Sequence, residues 1–385
     1  MPFAGDAGRM PVAPDHESLL RLLQSGAPAS ALRRLLDTHG GAAAAIAAGR
    51  RDWASHGFDA ATCAALLRPD VSALERSLHW LDAPAHHLLG WRDPAYPPLL
   101  RRIASPPAML FVAGDADLLW RPAVAIVGSR AATAGGRANA GQFAAALARS
   151  GLCVTSGLAV GIDAAAHQAT LDAGGMTVAV LGTGPDVAYP ARHRPLMARI
   201  AEAGAVVSEH PPGTQPLRTH FPSRNRILVG LSLGIVVVEA ASRSGALITA
   251  RLAGDAGREV FALPGSIHNP MVRGCHRLIR EGAALVETPG EVVEALAPLV
   301  RDLVRSLRGE LAPCPPPAAG QDGIGLPDLP DINRLWQALG HDPTGMDELL
   351  ERSGLTAAAV SSMLLALELE GRVAAEHGRY SRIGV

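Results

Sequence analysis

The strongest constraint in this chain is a rhythm of short apolar runs and helical stretches through its middle. Leu110–Val112, Val124–Val127, Leu152–Thr155, Val178–Leu181, Val206–Ser208, Ile235–Glu239 and Val260–Leu263 are too short for helices and almost wholly apolar. Runs of that kind are strands buried on both faces. Helical periodicity fills the gaps, at Arg137–Arg149, Ala164–Leu171, Arg194–Glu202, Asn225–Leu231, Leu247–Ala256 and Cys275–Glu281. Strands joined by helical crossovers make an α/β, doubly wound, mainly parallel sheet, which binds its ligands beyond the carboxyl ends of the strands. The loops that follow the strands are therefore where function is to be read.

The flanks differ. Residues 1–84 read as a small helical domain, with helices at Ser18–Gln24, Ser30–His39, Ala60–Leu67 and Val71–Leu81 bounded by Pro28 and the Gly40-Gly41 pair. The β/α domain occupies 85–300 and a linker 301–330, whose Pro/Gly-rich stretch Leu311–Pro330 supports neither helix nor central strand. In 331–385, helices at Ile332–Leu339, Met346–Arg352 and Ala357–Glu370 (capped by Thr356) precede strands at Val373–Ala375 and Arg379–Ile383, which turn through His377-Gly378. Three helices and a hairpin form a winged helix.

Composition narrows the class. With 48% apolar and 18% charged residues among 385, the chain is no disordered or polyelectrolyte segment. Its apolar stretches are too short to span a membrane and its first residues lack the apolar core of a signal peptide, so a soluble cytoplasmic protein is expected. Cys63, Cys153, Cys275 and Cys314 are scattered, which argues against disulfides and a zinc site. No cofactor or metal is expected. All 35 basic residues are Arg, and residues 122–290 carry 15 of them against 10 acids, whereas 291–385 carry 8 against 14. A basic middle beside an acidic end points to an anionic ligand in the middle.

Five loops are built to hold one. After Val127, Gly128-Ser129-Arg130 leads into a helix: the glycine permits close backbone approach, the helix start offers free N–H groups, and Arg130 can grip a phosphate. The spacing is not that of a dinucleotide fingerprint. Ser156-Gly157 and Gly161 punctuate the second loop, with Asp163 expected as a helix cap and His167 four residues on as a locally bonded partner rather than an acid–base pair. The third offers the Tyr189-Pro190 ring face with Arg192 and Arg194, the cation-plus-ring combination that suits an unpaired polynucleotide. In the fourth, Arg218, Arg224 and Arg226 fall within nine positions, interleaved with Phe221 and Asn225, while Ile227, Leu228 and Leu231 bury the helix. Arg243-Ser244-Gly245 repeats the logic of the first loop at another helix start. Anion sites repeated along one sheet edge suit a polyanion or a nucleotide.

The motifs GSR (128–130), SGLAVGIDAAAH (156–167), GTGPDVAYP (182–190), FPSRNRILVGLS (221–232), VVEAASRSGALITA (237–250) and FALPGS (261–266), preceded by RDPAYPPLL (92–100), occur in order. Together they resemble the DNA processing protein A family, DprA, also called Smf. The resemblance implies an extended Rossmann-like domain in a cytoplasmic homodimer that binds single-stranded DNA and helps load RecA recombinase on it, notably in natural transformation, without being an enzyme. Carried over, it puts Arg130 on a DNA phosphate, shaped by Gly128 and Ser129, with Ser156, Gly157 and Gly161 lining the same groove. Arg218 stands where the family often has a lysine before its HF pair, and Arg192, Arg194 and Arg243 lie near its other two lysines.

Two other readings compete. A nucleotide phosphoribohydrolase-like Rossmann enzyme would use the same loops with Glu239 at a strand end, although the PGGxGTxxE signature is missing. A transcription factor would use the tail, but its expected recognition helix opens Thr356-Ala357-Ala358-Ala359, and 331–385 carry 5 Arg against 8 acids.

Overall fold

A computed structural model describes residues 15–310 without a break and, beyond them, 329–339, 344–356, 360, 363, 364, 367, 373–376 and 379–382. The chain divides into two compact units at Leu311.

The first unit opens with six helices, α1 (His16–Gln24), α2 (Ala29–His39), α3 (Ala42–Ala47), α4 (Arg50–Ser55), α5 (Ala60–Leu67) and α6 (Val71–Leu81). Asp15, Asp59 and Asp70 start α1, α5 and α6 by accepting from the Ser18, Thr62 and Ala73 N–H groups at 3.0, 2.8 and 3.1 Å. Gly40 ends α2 in the left-handed region, at φ 75°. The sequence shows four of these helices; α3 and α4, six residues each, are too short to display a period. The module shares its core with the sheet, because Leu35, Leu36 and Trp53 pack in one cluster with Leu88, Met109 and Phe111.

The chain then runs β1 (His86–Gly90), α7 (Pro98–Arg101), β2 (Met109–Gly114), β3 (Ala123–Val127), α8 (Ala134–Arg149), β4 (Cys153–Ser156), α9 (Ile162–Asp172) and β5 (Thr177–Val180). It continues through α10 (Arg194–Ala203), β6 (Ala205–Ser208), α11 (His220–Gly230), β7 (Gly234–Val237), α12 (Gly245–Asp255), β8 (Glu259–Ala262), α13 (Arg273–Arg280), β9 (Ala284–Leu285) and α14 (Pro289–Glu310). All seven expected strands are present, and β1 and β9 are additional. The nine-stranded order is β1-β2-β6-β5-β4-β3-β7-β8-β9, parallel from β6 to β9 and antiparallel at β1 and β2. Because α14 is helical to Glu310, the expected linker does not begin at 301; of its Pro/Gly-rich stretch 311–330, residues 311–328 lie outside the described residues and Leu329 and Pro330 already open a helix, since a proline is tolerated in a helix's first turn.

Strand side chains alternate between two layers, as the pleat requires. Ala125, Val127, Ile235 and Val237 pack on α11, α12 and α13 through Leu228, Ala250 and Cys275. Val124, Ile126, Val236 and Val238 pack on α8, α9 and α14 through Phe143, Ile162 and Val292. Each fully buried Val, Leu, Ile or Phe among them contributes about 1.5–3 kcal/mol, so the middle of the sheet is a rigid platform. From β3 the chain winds one way to β4 and β5, whereas β7, on the other side of β3, leads away to β8 and β9. The loops after β3 and β7 therefore diverge and leave a crevice between them, the topological switch point.

The second unit holds α15 (Leu329–Ala338), β10 (Thr344–Gly345), α16 (Met346–Ser353), β11 (Val373–Glu376) and β12 (Arg379–Arg382), with strand order β10-β12-β11. Val360, Met363, Leu364 and Leu367 bury at helical spacing against Leu335, Leu349 and Val373, the core of a winged helix. Much of the expected Ala357–Glu370 helix and the His377-Gly378 turn lie outside the described residues. No helix among the described residues is long and apolar enough to cross a membrane.

Candidate functional site

A cavity of about 490 Å³ fills the switch-point crevice. Its walls come from the β3 loop (Gly128 to Ala131), the start of α9 (Asp163), α11 (Phe221, Arg224, Asn225) and the β7–α12 turn (Arg243, Ser244, Gly245), with Ile248 beyond. A second hollow of about 140 Å³ shares Arg130, Phe221 and Arg224 with it and extends to Gly157, Tyr189 and Pro190. The two form one cleft along the carboxyl edge of the sheet.

Glycines make the cleft floor possible. A Cβ on Gly128 would lie 2.6 Å from Ile162 Cγ1, and one on Gly161, at φ 87°, only 2.3 Å from the Ser129 carbonyl. That carbonyl accepts from the Ile162 N–H at 3.3 Å, and the Ser129 hydroxyl accepts from the Ala131 N–H at 3.1 Å. The backbone is thus held flat, and the Arg130 side chain is left exposed. Its guanidinium lies 5.5 Å from the Phe221 ring centroid, and the Tyr189 and Phe221 centroids are 5.2 Å apart. Among the described residues no carboxylate ion-pairs with Arg130 or Arg243.

Several expected site residues do other work. The start of α8 is closed to anions: Glu239, buried at the end of the β7 run, accepts from the Thr133 N–H at 2.9 Å and hydroxyl at 2.6 Å. A carboxylate already sits where a phosphate was expected, and Gly136 leaves it room. The start of α12 carries no such carboxylate among the described residues: its cap Ser244 takes only the Ala246 N–H, at 3.2 Å, and a Cβ added to Gly245 would meet nothing within 4 Å. Ser156 does not line the groove; it is buried and donates to the Ile126 carbonyl at 2.7 Å, tying β4 to β3.

Arg224 is buried, not a free cation. Its Nη1 donates to the Gly157 carbonyl at 2.6 Å and to the Val180 carbonyl, and its Nε to Asn225 Oδ1 at 2.9 Å. Asn225 therefore spends its oxygen on Arg224. Arg226 points away and pairs with Glu209. This divergence follows from α11 starting at His220, five residues before the expected Asn225: positions 224 and 226 lie about 200° apart around a helix. Arg192, Arg194 and Arg218 are exposed and line neither hollow.

Asp163 is not the helix cap, a position held by Gly161. It lies buried in the first turn and accepts from the Ala159 N–H at 3.3 Å. Burial pushes its pKa up, against the pull of the Arg224 guanidinium and local N–H groups. His167 bonds to Thr177 through Nδ1 at 2.7 Å, so the two make no acid–base pair. Residue patterning alone also missed Ile248; an apolar side chain three positions past Gly245, 51% exposed, was its only signal.

Burial holds the His167 pKa down to about 3 and that of His210 to about 4. Below pH 6.5 the unfolded chain takes up protons that the folded chain refuses, so this stability is complete above 6.5 and lost as pH falls toward 3. The denaturant midpoint of the full chain should fall steadily from pH 7 to pH 4, and His167→Gln should flatten the slope. A wild-type midpoint that stays level over that range would contradict the assignment.

Comparison with known proteins adds the context. A family model described as DNA recombination-mediator protein A matches residues 87–297, and one described as the DprA winged helix domain matches 315–379. Protein Smf of Escherichia coli (strain K12) is 42% identical over 316 residues, covering 81% of each chain. The structure of DNA processing protein A from Streptococcus pneumoniae superposes with a TM-score of 0.66 at 37% identity, covering 72% of this chain and 97% of that one. DNA processing protein A from Helicobacter pylori, solved for its single-stranded DNA binding mode, matches with a TM-score of 0.50 at 27% identity over 55% of this chain and 95% of that one.

Proposed function

The chain belongs to the DNA recombination-mediator protein A family, and we propose that it is a recombination mediator that binds single-stranded DNA in the switch-point cleft. One observation carries this reading: two exposed guanidiniums without carboxylate partners among the described residues, Arg130 and Arg243, share one cleft with the Tyr189–Phe221 ring pair and the start of α12. Cations and a helix start suit the phosphates, and ring faces suit bases that a duplex keeps stacked. Gly128, Ser129, Gly157, Gly161, Ser244 and Gly245 shape the backbone, and the exposed Arg192, Arg194 and Arg218 extend the positive surface beyond the cleft.

The protein acts by binding, not by catalysis. Glu239, the carboxylate a phosphoribohydrolase-like reading would use, is engaged by Thr133 and lines neither hollow. Incubation with nucleoside monophosphates should release no free base. A coated strand becomes useful when a recombinase replaces the mediator, so RecA is the proposed partner and a cytoplasmic homodimer the working form, with the winged helix serving contacts other than duplex DNA.

The test is a salt series on single- and double-stranded oligonucleotides of one length, with molecular mass measured alongside. Single-strand affinity should exceed duplex affinity, and log K should fall against log salt by about 0.7 per phosphate contacted. Equal affinity for both forms, or none of this salt dependence, overturns the reading.

A further inference from the structure

Outside the cleft, the N-terminal helices bring two imidazoles and a carboxylate to one point. His39 is the last residue of α2, Asp52 lies in the first turn of α4, and His56 follows α4 directly. His39 Nε2 lies 2.7 Å and His56 Nδ1 3.4 Å from the same oxygen, Asp52 Oδ2, and the three donor atoms are all within 4.8 Å of one another. Donors around a tetrahedral ion with bonds of about 2.0–2.1 Å stand roughly 3.3 Å apart. We propose that His39, Asp52 and His56 bind a divalent transition-metal ion of the zinc type, which ties the end of α2 to the end of α4.

The surrounding hydrogen bonds carry the argument further. The Thr38 hydroxyl donates to the Arg34 carbonyl at 3.0 Å and lies 3.0 Å from His56 Nε2, so its lone pair is placed to accept a proton carried on Nε2. His56 Nδ1 donates its proton to the Asp52 carbonyl at 2.9 Å, with the Asp52 carboxylate beside it; when a cation takes that proton's place, the tautomer with the proton on Nε2 is the one that binds it. The Ser55 hydroxyl, 3.3 Å away, spends its proton on that carbonyl at 2.7 Å. A ring nitrogen surrounded by acceptors suits a cation in place of its proton, and an outer hydrogen bond that holds the tautomer of a metal-binding histidine is the usual support of such a site. Arg34 is engaged with the His56 carbonyl at 2.6 Å. The three side chains are 22%, 33% and 15% exposed, enough to admit an ion and a water as fourth ligand. Two imidazole nitrogens with one carboxylate oxygen suit zinc, and also cobalt and nickel. The site is remote from the cleft in sequence and does not depend on the DNA reading.

The experiment uses the untagged full chain, stripped with a chelator and titrated with zinc against a chromophoric competitor. The wild type should bind one equivalent that His39→Ala and Asp52→Asn each lose, while Thr38→Val, which keeps all three ligands, should weaken it about 10- to 100-fold. Cobalt(II) in the wild type should give the intense visible absorption of a four-coordinate ion, a readout that needs no variant to fold. Zinc uptake no greater than that of a His39→Ala/His56→Ala double variant, or only the pale six-coordinate cobalt spectrum, overturns the proposal.

Discussion

Arg130→Ala is expected to weaken single-stranded oligonucleotide binding about 10- to 100-fold and to leave the unfolding midpoint where it is. A hydrogen bond to a charged group is worth about 1.5–3 kcal/mol, and about 1.4 kcal/mol is a factor of ten. The fold does not lean on this side chain: it is exposed, has no ion pair among the described residues and touches the Phe221 ring face. Loss of one phosphate contact should also make the salt dependence shallower by about 0.7 in log–log slope. Phe221→Ala should cost about 1–3 kcal/mol through lost base stacking. Because the two side chains touch, the double variant should lose less than the sum of the singles. Fluorescence anisotropy across a salt series, beside thermal unfolding of each variant, reads all of this. Unchanged affinity, or a loss of affinity that tracks a loss of stability, would sink the assignment.

Local pattern made the platform legible and left its far ends unseen. Each central strand is an apolar run buried on both faces, so β2 to β8 stand out in the sequence, whereas β9 is two residues, Ala284–Leu285, and carries no pattern. Strand order is a property of pairing between distant segments, so nothing in the sequence places β7 beside β3, the one adjacency that creates the crevice. The glycines were readable as close approaches, and Gly128 and Gly161 are such approaches, of loop to loop. What failed was the sense of direction around α11. With its start at His220, Arg224 turns inward and Arg226 turns toward Glu209. The same limit hid the partner of α8: Glu239 is 106 positions from Thr133, and only the fold brings them together.

Arg224 gives the larger stability effect. The residue is only 5% exposed; its guanidinium bridges the loop after β4 to the end of β5 through the Gly157 and Val180 carbonyls, and it is a buried cation near the buried Asp163. A Cβ on Gly157 would lie 2.1 Å from Nη2, so the glycine and the arginine are one device. Arg224→Met keeps the apolar stem but removes every donor, stranding two carbonyls and an uncompensated carboxylate. Leaving a buried acceptor unsatisfied costs about 1–3 kcal/mol, and Arg224→Met does so at two carbonyls. Adding Asp163→Asn to Arg224→Met should recover part of the loss, with a coupling of about 0.5–3 kcal/mol. Arg224→Lys should fall between wild type and Arg224→Met, because an ammonium group lacks the planar fork that reaches two carbonyls and Asn225 together. Denaturant unfolding of five full-length proteins, the wild type, Arg224→Met, Asp163→Asn, their double variant and Arg224→Lys, measures these differences. The discriminating contrast is with Arg130: one guanidinium in this cleft should matter to the ligand and leave the fold alone, and the other should matter to the fold first. An Arg224→Met protein that unfolds like wild type yet no longer binds the oligonucleotide would assign Arg224 to the DNA and overturn the structural role argued for it.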